Sequence, residues 1–193
     1  MQAFRHHMAI KSTIYKANLS IANIDQGYYA EHALTLARHP SETDERMMVR
    51  LVALAMQAHQ LQVLCNGDGV LAFGAGLSDT NEPDVWIKDF TDQIKVWIEV
   101  GLPEERPILK ACGKSAKVFI YPYHHNTLIW YRGIENKIAR LKNLEIYQIP
   151  AEQSQALALM AQRSMQLQAT IQESSCLMSN GDQSVEIIFE RLF

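Results

Sequence analysis

Apolar and polar residues alternate most cleanly from Ile94 to Val100. Ile94, Val96, Ile98 and Val100 fall on one side, and Lys95, Trp97 and Glu99 on the other. A period of two predicts a strand with one buried face. A second strand, Val85 to Phe90, is entered through Glu82-Pro83-Asp84 and joined to the first by Thr91-Asp92-Gln93, which predicts a hairpin. One-for-one pairing about Asp92 sets Glu99 opposite Val85, with Asp84 close by. Upstream, Met48, Leu51, Val52, Leu54, Ala55 and Met56 give the stripe of a helix reaching about His59, with Ser41 as its N-cap and acids in its first turn. Leu61 to Cys65 reads as a short strand, followed by a long connection carrying Gly67, Gly69, Gly74, Gly76 and Ser78. Beyond the hairpin, helices are predicted over Glu104 to Cys112, closed by Gly113, over Asn126 to about Leu141, and over Ala151 to Gln162. They alternate with strands at Lys117 to Tyr123 and Leu144 to Ile149.

Both ends of the chain are strand-rich. Thr13 to Ile21 and Gly27 to Ala37 are joined at Gln26-Gly27. Gln166 to Gln172, Ser175 to Met178 and Ser184 to Phe189 form a meander turning at Asn180-Gly181. The expected class is therefore α/β (α+β): a mixed sheet flanked by helices, plus an additional small antiparallel sheet from the terminal strands. The 193 residues suit a single domain over 8–193 with a core at about 41–150. The opening MQAFRHH lacks periodicity, so residues 1–7, including His6 and His7, are read as a tail with Met8 as a plausible start.

Composition narrows the class further. Hydrophobic residues make up 48% and charged residues 20%, with net charge -3, which excludes collagen-like and disordered chains. No apolar run is long enough to span a membrane, and the start lacks a secretion signal, so a cytoplasmic protein with no membrane partner is expected. Cys65, Cys112 and Cys176 are odd in number and widely spaced, which suggests reduced thiols.

Charge is unevenly distributed. From Asp79 to Glu105 eight acidic residues stand against Lys88 and Lys95, whereas from Lys110 to Lys142 seven basic residues stand against Glu135. Folded side by side, these stretches would set an acidic cluster able to hold a cation beside a surface able to grip a phosphate backbone. Solvated helix faces are the alternative. Glu45 on the first helix, Asp84 at a strand entrance and Glu99 within the next strand are the carboxylates that topology can bring together. Two or three carboxylates suffice for a hard cation such as magnesium or manganese. Arg46 and Arg50, four apart on the helix, can contact phosphate or pair with acids. Trp86 and Trp97 can stack on bases or pack in the core. His39, His59, His124 and His125 read as core or surface histidines. The glycine connection lacks both GxGxxG and a following GKS or GKT, and there is no GxSxG or HExxH.

Glu45, then Pro83-Asp84, then Glu99-Val100-Gly101 resembles the Glu, PD, (D/E)xK pattern of the restriction-endonuclease-like superfamily. The blocks TIYKANL, GYYAEHALTLARHPSETDERMMVRLVALA, EPDVWIKD, KACGKSAKV and ARLKNLEIYQIPAE closely resemble the YaeQ family from Met8 onward. The resemblance implies a restriction-endonuclease-like fold and a metal-dependent nuclease, with Glu45, Asp84 and Glu99 holding Mg2+ or Mn2+ and nucleic acid as the substrate. It also exposes a departure. The pattern places lysine two residues after the strand carboxylate, where this chain has Gly101. Lys110 is the candidate replacement, followed by Lys114, Lys117 and Lys95. A catalytically inactive nucleic-acid-binding or regulatory module of the same fold is the alternative.

Overall fold

The computed structural model describes residues 12–75, 77 and 81–193; the predicted tail at 1–7 and Gly76, Ser78 and Asp79 lie outside them. In chain order the elements are β1 (Thr13–Asn23), β2 (Tyr28–Arg38), α1 (Asp44–Gln57), α2 (Gln60–Cys65), β3 (Gly69–Phe73), β4 (Val85–Asp89) and β5 (Ile94–Val100). There follow α3 (Glu105–Lys114), β6 (Lys117–Tyr121), α4 (Thr127–Ile138), β7 (Leu144–Gln148), α5 (Ala151–Ala158), β8 (Ser164–Gln172), β9 (Ser175–Ser179), β10 (Ser184–Ile188) and β11 (Glu190–Arg191).

They form two mixed sheets. A six-stranded sheet runs β11-β7-β6-β5-β4-β3, with β5, β6 and β7 parallel to one another. A five-stranded sheet runs β10-β9-β8-β1-β2. Helix α1 is enclosed between them, with Met47, Met48, Leu51, Val52, Leu54 and Ala55 all fully buried beside Leu19, Leu36, Ile87, Ile98 and Leu167. A helix apolar nearly all round requires this. A second core lies under α3 and α4, where Trp97, Ile108, Ile120, Ile134 and Ile138 meet. Both faces of β5 are therefore covered, and Trp97 is buried on the side the alternation left for solvent. No helix among the described residues is long and apolar enough to cross a membrane.

Several expectations change. Leu61 to Cys65 is helical: Leu61, Leu64 and Cys65 pack against the core, and left-handed Asn66 (φ 52) closes the turn, its N–H donating to the Gln62 carbonyl and the Gly67 N–H to the Leu61 carbonyl. The glycine connection contains β3, where a side chain at Gly69 would come within 2.5 Å of the Lys88 carbonyl. The sheet from the termini is neither small nor antiparallel throughout, because β1 pairs parallel with β8 and antiparallel with β2 over 11 residues. The last residues return as β11 to the edge of the other sheet. Helix α3 runs through Gly113 and ends at Ser115, whose N–H and hydroxyl both donate to the Ala111 carbonyl.

The N-cap of α1 is Thr43, whose Oγ1 accepts from the Arg46 N–H at 3.1 Å; Ser41 lies outside the helix, its N–H bonded to His39 Nδ1. Thr43→Ala is expected to cost about 1 kcal/mol in urea unfolding, and Ser41→Ala less than about 0.5 kcal/mol. Equal effects would contradict this cap.

Candidate functional site

The β4–β5 hairpin brings two of the sequence-predicted acids together. Its turn is centred one residue earlier than expected, because the Asp89 carboxylate accepts from the Thr91 N–H, the Thr91 hydroxyl and the Gln93 N–H. A bulge between Ile87 and Lys88 then inserts Lys95 unpaired. Val85 consequently pairs with Ile98 rather than Glu99. The Asp84 N–H continues the ladder to the Ile98 carbonyl at 3.0 Å, which sets Asp84 across from Glu99.

Around Asp84, now 2% exposed, the ligands come from α1 and β5. Arg46 Nη2 donates to Asp84 Oδ1 at 2.7 Å, Arg50 Nε stands 3.7 Å from the same oxygen, and the Val100 N–H donates to Oδ2 at 2.8 Å. The same two guanidiniums hold Glu42, just ahead of the helix: Arg46 Nη1 at 2.9 Å and Arg50 Nη1 at 3.1 Å. Arg50, 1% exposed, also donates to the carbonyls of Gly74 and Asp84 and lies over the Phe73 ring. Of the two roles open to Arg46 and Arg50 in the sequence, the structure shows pairing with acids. Glu42 was not among the candidates, since its partners are fixed by tertiary contact.

Glu99 is the member of the cluster without an arginine partner. Its Oε1 accepts from Trp97 Nε1 at 2.7 Å, and it lies across the hairpin from Asp84. Burial, then the charge of Asp84, push its pKa up to about 8, against the opposing pull of Trp97 and Arg46. Glu99 thus holds its proton more tightly than an ordinary glutamate.

Glu45 is placed differently. Its Oε1 accepts from the buried Ser154 hydroxyl of α5 at 2.6 Å, and its charge is felt at Tyr123 and His124. Among the described residues no group of three or more His, Cys, Asp or Glu is arranged to hold a metal; the expected triad resolves into a pair plus a flanking acid. Burial pushes the Tyr123 phenol up to about 12 and lowers His124, whose rings lie 4.1 Å apart. Neither Tyr123 nor Ser154 had a sequence signal.

The lysine candidates sit elsewhere. Lys110 is exposed and donates to Asn81 at 2.6 Å, Lys95 pairs with Asp89 at 3.0 Å, and Lys117 lies over the Phe119 ring. Arg46 is the cation beside the carboxyl pair. Gly101 has φ +98, a backbone that a side-chain-bearing residue rarely adopts, so the strand leaves its path where the pattern would place lysine. Trp86 is paired with Trp97 and covered by Lys88 Nζ at 3.7 Å, so both tryptophans are engaged within the protein.

Comparison with known proteins agrees with the blocks noted in the sequence. A family profile described as YaeQ protein matches residues 8–189. The chain is 40% identical to the Uncharacterized protein YaeQ of Salmonella typhi over 181 residues, covering 93% of this chain and 95% of the relative. It is 39% identical to the Escherichia coli K12 protein of the same description, with the same coverage. The crystal structure of YaeQ protein from Xanthomonas axonopodis pv. citri superposes with TM-score 0.86 at 37% identity, covering 94% of this chain and 98% of that one. That from Pseudomonas syringae gives 0.85 at 32% identity, covering 94% and 96%.

The carboxyl pair has a measurable consequence. Glu99 releases its proton near the ordinary glutamate value of about 4.3 when unfolded and at about 8 when folded. Between these values the native state binds more protons, so this group makes stability fall as pH rises through the window. Glu99→Gln, which keeps the shape and a hydrogen to share, is expected to match wild type near pH 4.5. At pH 8.5 it should be more stable by at least about 1 kcal/mol, the scale of one pKa unit. Parallel stability profiles from urea titrations would contradict the raised Glu99 value.

Proposed function

This chain belongs to the YaeQ family, and from that premise we propose that it is a divalent-cation-dependent nuclease of the PD-(D/E)xK, restriction-endonuclease-like superfamily. The observation that carries the reading is the Asp84–Glu99 pair, two carboxyls set across from each other on the β4–β5 hairpin, of which only Asp84 is balanced by arginine. Oxygen donors of this kind suit magnesium or manganese, which bind through one or two carboxylates and substrate phosphate. When bound, such a cation supplies Lewis acidity toward a phosphoryl oxygen and an attacking water.

The chain's own residues have definable parts in this reading. Asp84 and Glu99 would hold the ion. Arg46 fixes Asp84 and contributes the positive charge that the pattern assigns to lysine, which removes that role from Lys110. Glu45, Tyr123 and His124 flank the pair where β6 gives way to α4. This is the carboxyl end of the parallel strands, where open α/β sheets bind ligands. Exposed Lys110, Lys114, Arg132, Arg140 and Lys142 would attract a nucleic-acid backbone.

A second reading rests on a specific contact. Asp84 already has Arg46 at 2.7 Å and Arg50 at 3.7 Å, a closed network that needs no cation, as expected of an inactive nucleic-acid-binding or regulatory module. A mixed panel of DNA and RNA, single- and double-stranded, incubated with Mn2+ or Mg2+, separates the two. Wild type is expected to cleave, and Glu99→Gln and Asp84→Asn, both folded by circular dichroism, to lose about 100-fold or more, at the upper end for weakened metal sites. Cleavage unchanged in both variants, or absent from wild type, would overturn the nuclease reading. Salt-dependent binding without cleavage would support the module.

A further inference from the structure

At the far end of α1 from the carboxyl pair, where the two sheets part, lies a cavity of about 270 Å3. Its floor is Phe119, Tyr121, Ile171 and Phe189, all buried, with Tyr121 and Tyr147 stacked at 6.0 Å and Phe189 edge-on to Tyr121 at 5.9 Å. Exposed Asp25, Gln26 and Ser174 stand among its lining residues and form a polar mouth.

Two glutamines make it a built site. Gln57 and Gln60 are 5% and 6% exposed, both line the cavity, and the Oε1 of each is buried without a hydrogen-bond partner. Their amide nitrogens are engaged. Gln57 Nε2 donates to the Tyr121 hydroxyl at 2.7 Å. Gln60 Nε2 stands 3.0 Å from His59 Nε2, and His59 Nδ1 stands 3.1 Å from the Met56 carbonyl. A neutral His59 donating through Nδ1 to that carbonyl must accept through Nε2, which orients the Gln60 amide and leaves its oxygen free. A buried acceptor left unpaired costs about 1–3 kcal/mol, and two in one aromatic cavity call for a donor from outside the chain.

Charge selects the class of donor. The lining includes Asp25 and Glu145 and no lysine or arginine. Two cations stand outside it: exposed Arg191, 3.7 Å from Glu145 Oε2, which also accepts from the Tyr147 hydroxyl, and Lys117, 6.0 Å from the Phe119 ring. We propose that this cavity is a binding site for a small organic cation with several N–H donors on a flat or apolar body, an amidinium or ammonium compound. The Gln57 and Gln60 oxygens and the Glu145 carboxylate take its hydrogens, and the tyrosine and phenylalanine rings take its body and charge. The site is separate from the carboxyl pair and does not depend on the nuclease reading.

Benzamidine is the probe, with benzamide as the uncharged isostere and benzoate as the anion. By 15N-resolved NMR titration of the whole chain, benzamidine is expected to move the side-chain amide signals of Gln57 and Gln60 saturably and to bind at least about tenfold tighter than benzamide, with benzoate inert. Gln60→Met is expected to weaken benzamidine about tenfold or more; it removes the unpaired oxygen together with the contact to His59 Nε2, so its melting temperature is measured beside its affinity. Glu145→Gln, nearer the surface, should narrow the gap between benzamidine and benzamide. Equal affinity for all three probes, shifts confined to other residues, or unchanged binding in both variants would overturn the proposal. The wild-type titration decides the matter even if Gln60→Met fails to fold.

Discussion

Two guanidiniums set against two carboxylates, Arg46 and Arg50 with Glu42 and Asp84, pin α1 to the entrance of β4. Burying four charges is costly, and an apolar replacement of the same shape is often as stable. From Leu51 to Met56, however, α1 is apolar all round between the two sheets, and such contacts are non-directional and give only a weak preference for rotation or register. The network supplies that preference: Arg50 donates to the Gly74 and Asp84 carbonyls as well as to Glu42, so sliding or turning the helix would break several charged contacts at once. The backbone on the far side is equally unforgiving, since a side chain at Gly74 would meet the Pro83 carbonyl at 2.0 Å. Helix, glycine and Pro83-Asp84 fit as one unit, and Asp84 owes its position to it.

How much of this was legible depends on the range of the contact. The convergence of Asp84 and Glu99 was readable because one short turn joins their strands. The register was off by one because a bulge at Lys95 and a turn organised by the Asp89 side chain carry no hydrophobic signature. Leu61 to Cys65 was misread because five residues with four apolar ones suit a strand as well as a buried turn of helix, and periodicity cannot separate them at that length. The parallel pairing of β1 with β8 and the return of β11 to β7 join residues far apart in sequence, where local pattern is silent. Glu42 and Ser154 became site residues for the same reason.

Gly101 shows how backbone geometry and chemistry constrain each other. After Val100 gives its N–H to Asp84 Oδ2, the next residue turns to φ +98 while its own N–H holds the Tyr121 carbonyl at 3.0 Å. A long side chain at this position would demand a strained backbone, and its Cβ would stand 3.7 Å from the His124 ring. A cation for the pair therefore has to come from another element. It comes from α1, as Arg46, whose guanidinium spans Glu42 and Asp84, where a lysine ammonium is a compact point charge without that fixed fork.

Charge balance then decides the state of Glu99. Glu42 and Asp84 are matched one for one by Arg46 and Arg50, so an ionised Glu99 would be an unmatched, half-buried negative charge beside Asp84, and it keeps its proton instead. In the nuclease reading this proton is a placeholder. A divalent cation would displace it, and cation binding would be coupled to proton release and strengthen as pH rises toward the Glu99 value. A phosphodiester carries one negative charge. With three ionised carboxylates, two arginines and a doubly charged ion, the buried cluster has one positive charge to spare, which that phosphodiester would neutralise. In the binding-module reading the same proton stays until pH rises past the Glu99 value, and below it the sum is already zero without ligand. The two readings thus differ in the fate of one proton on one carboxyl group.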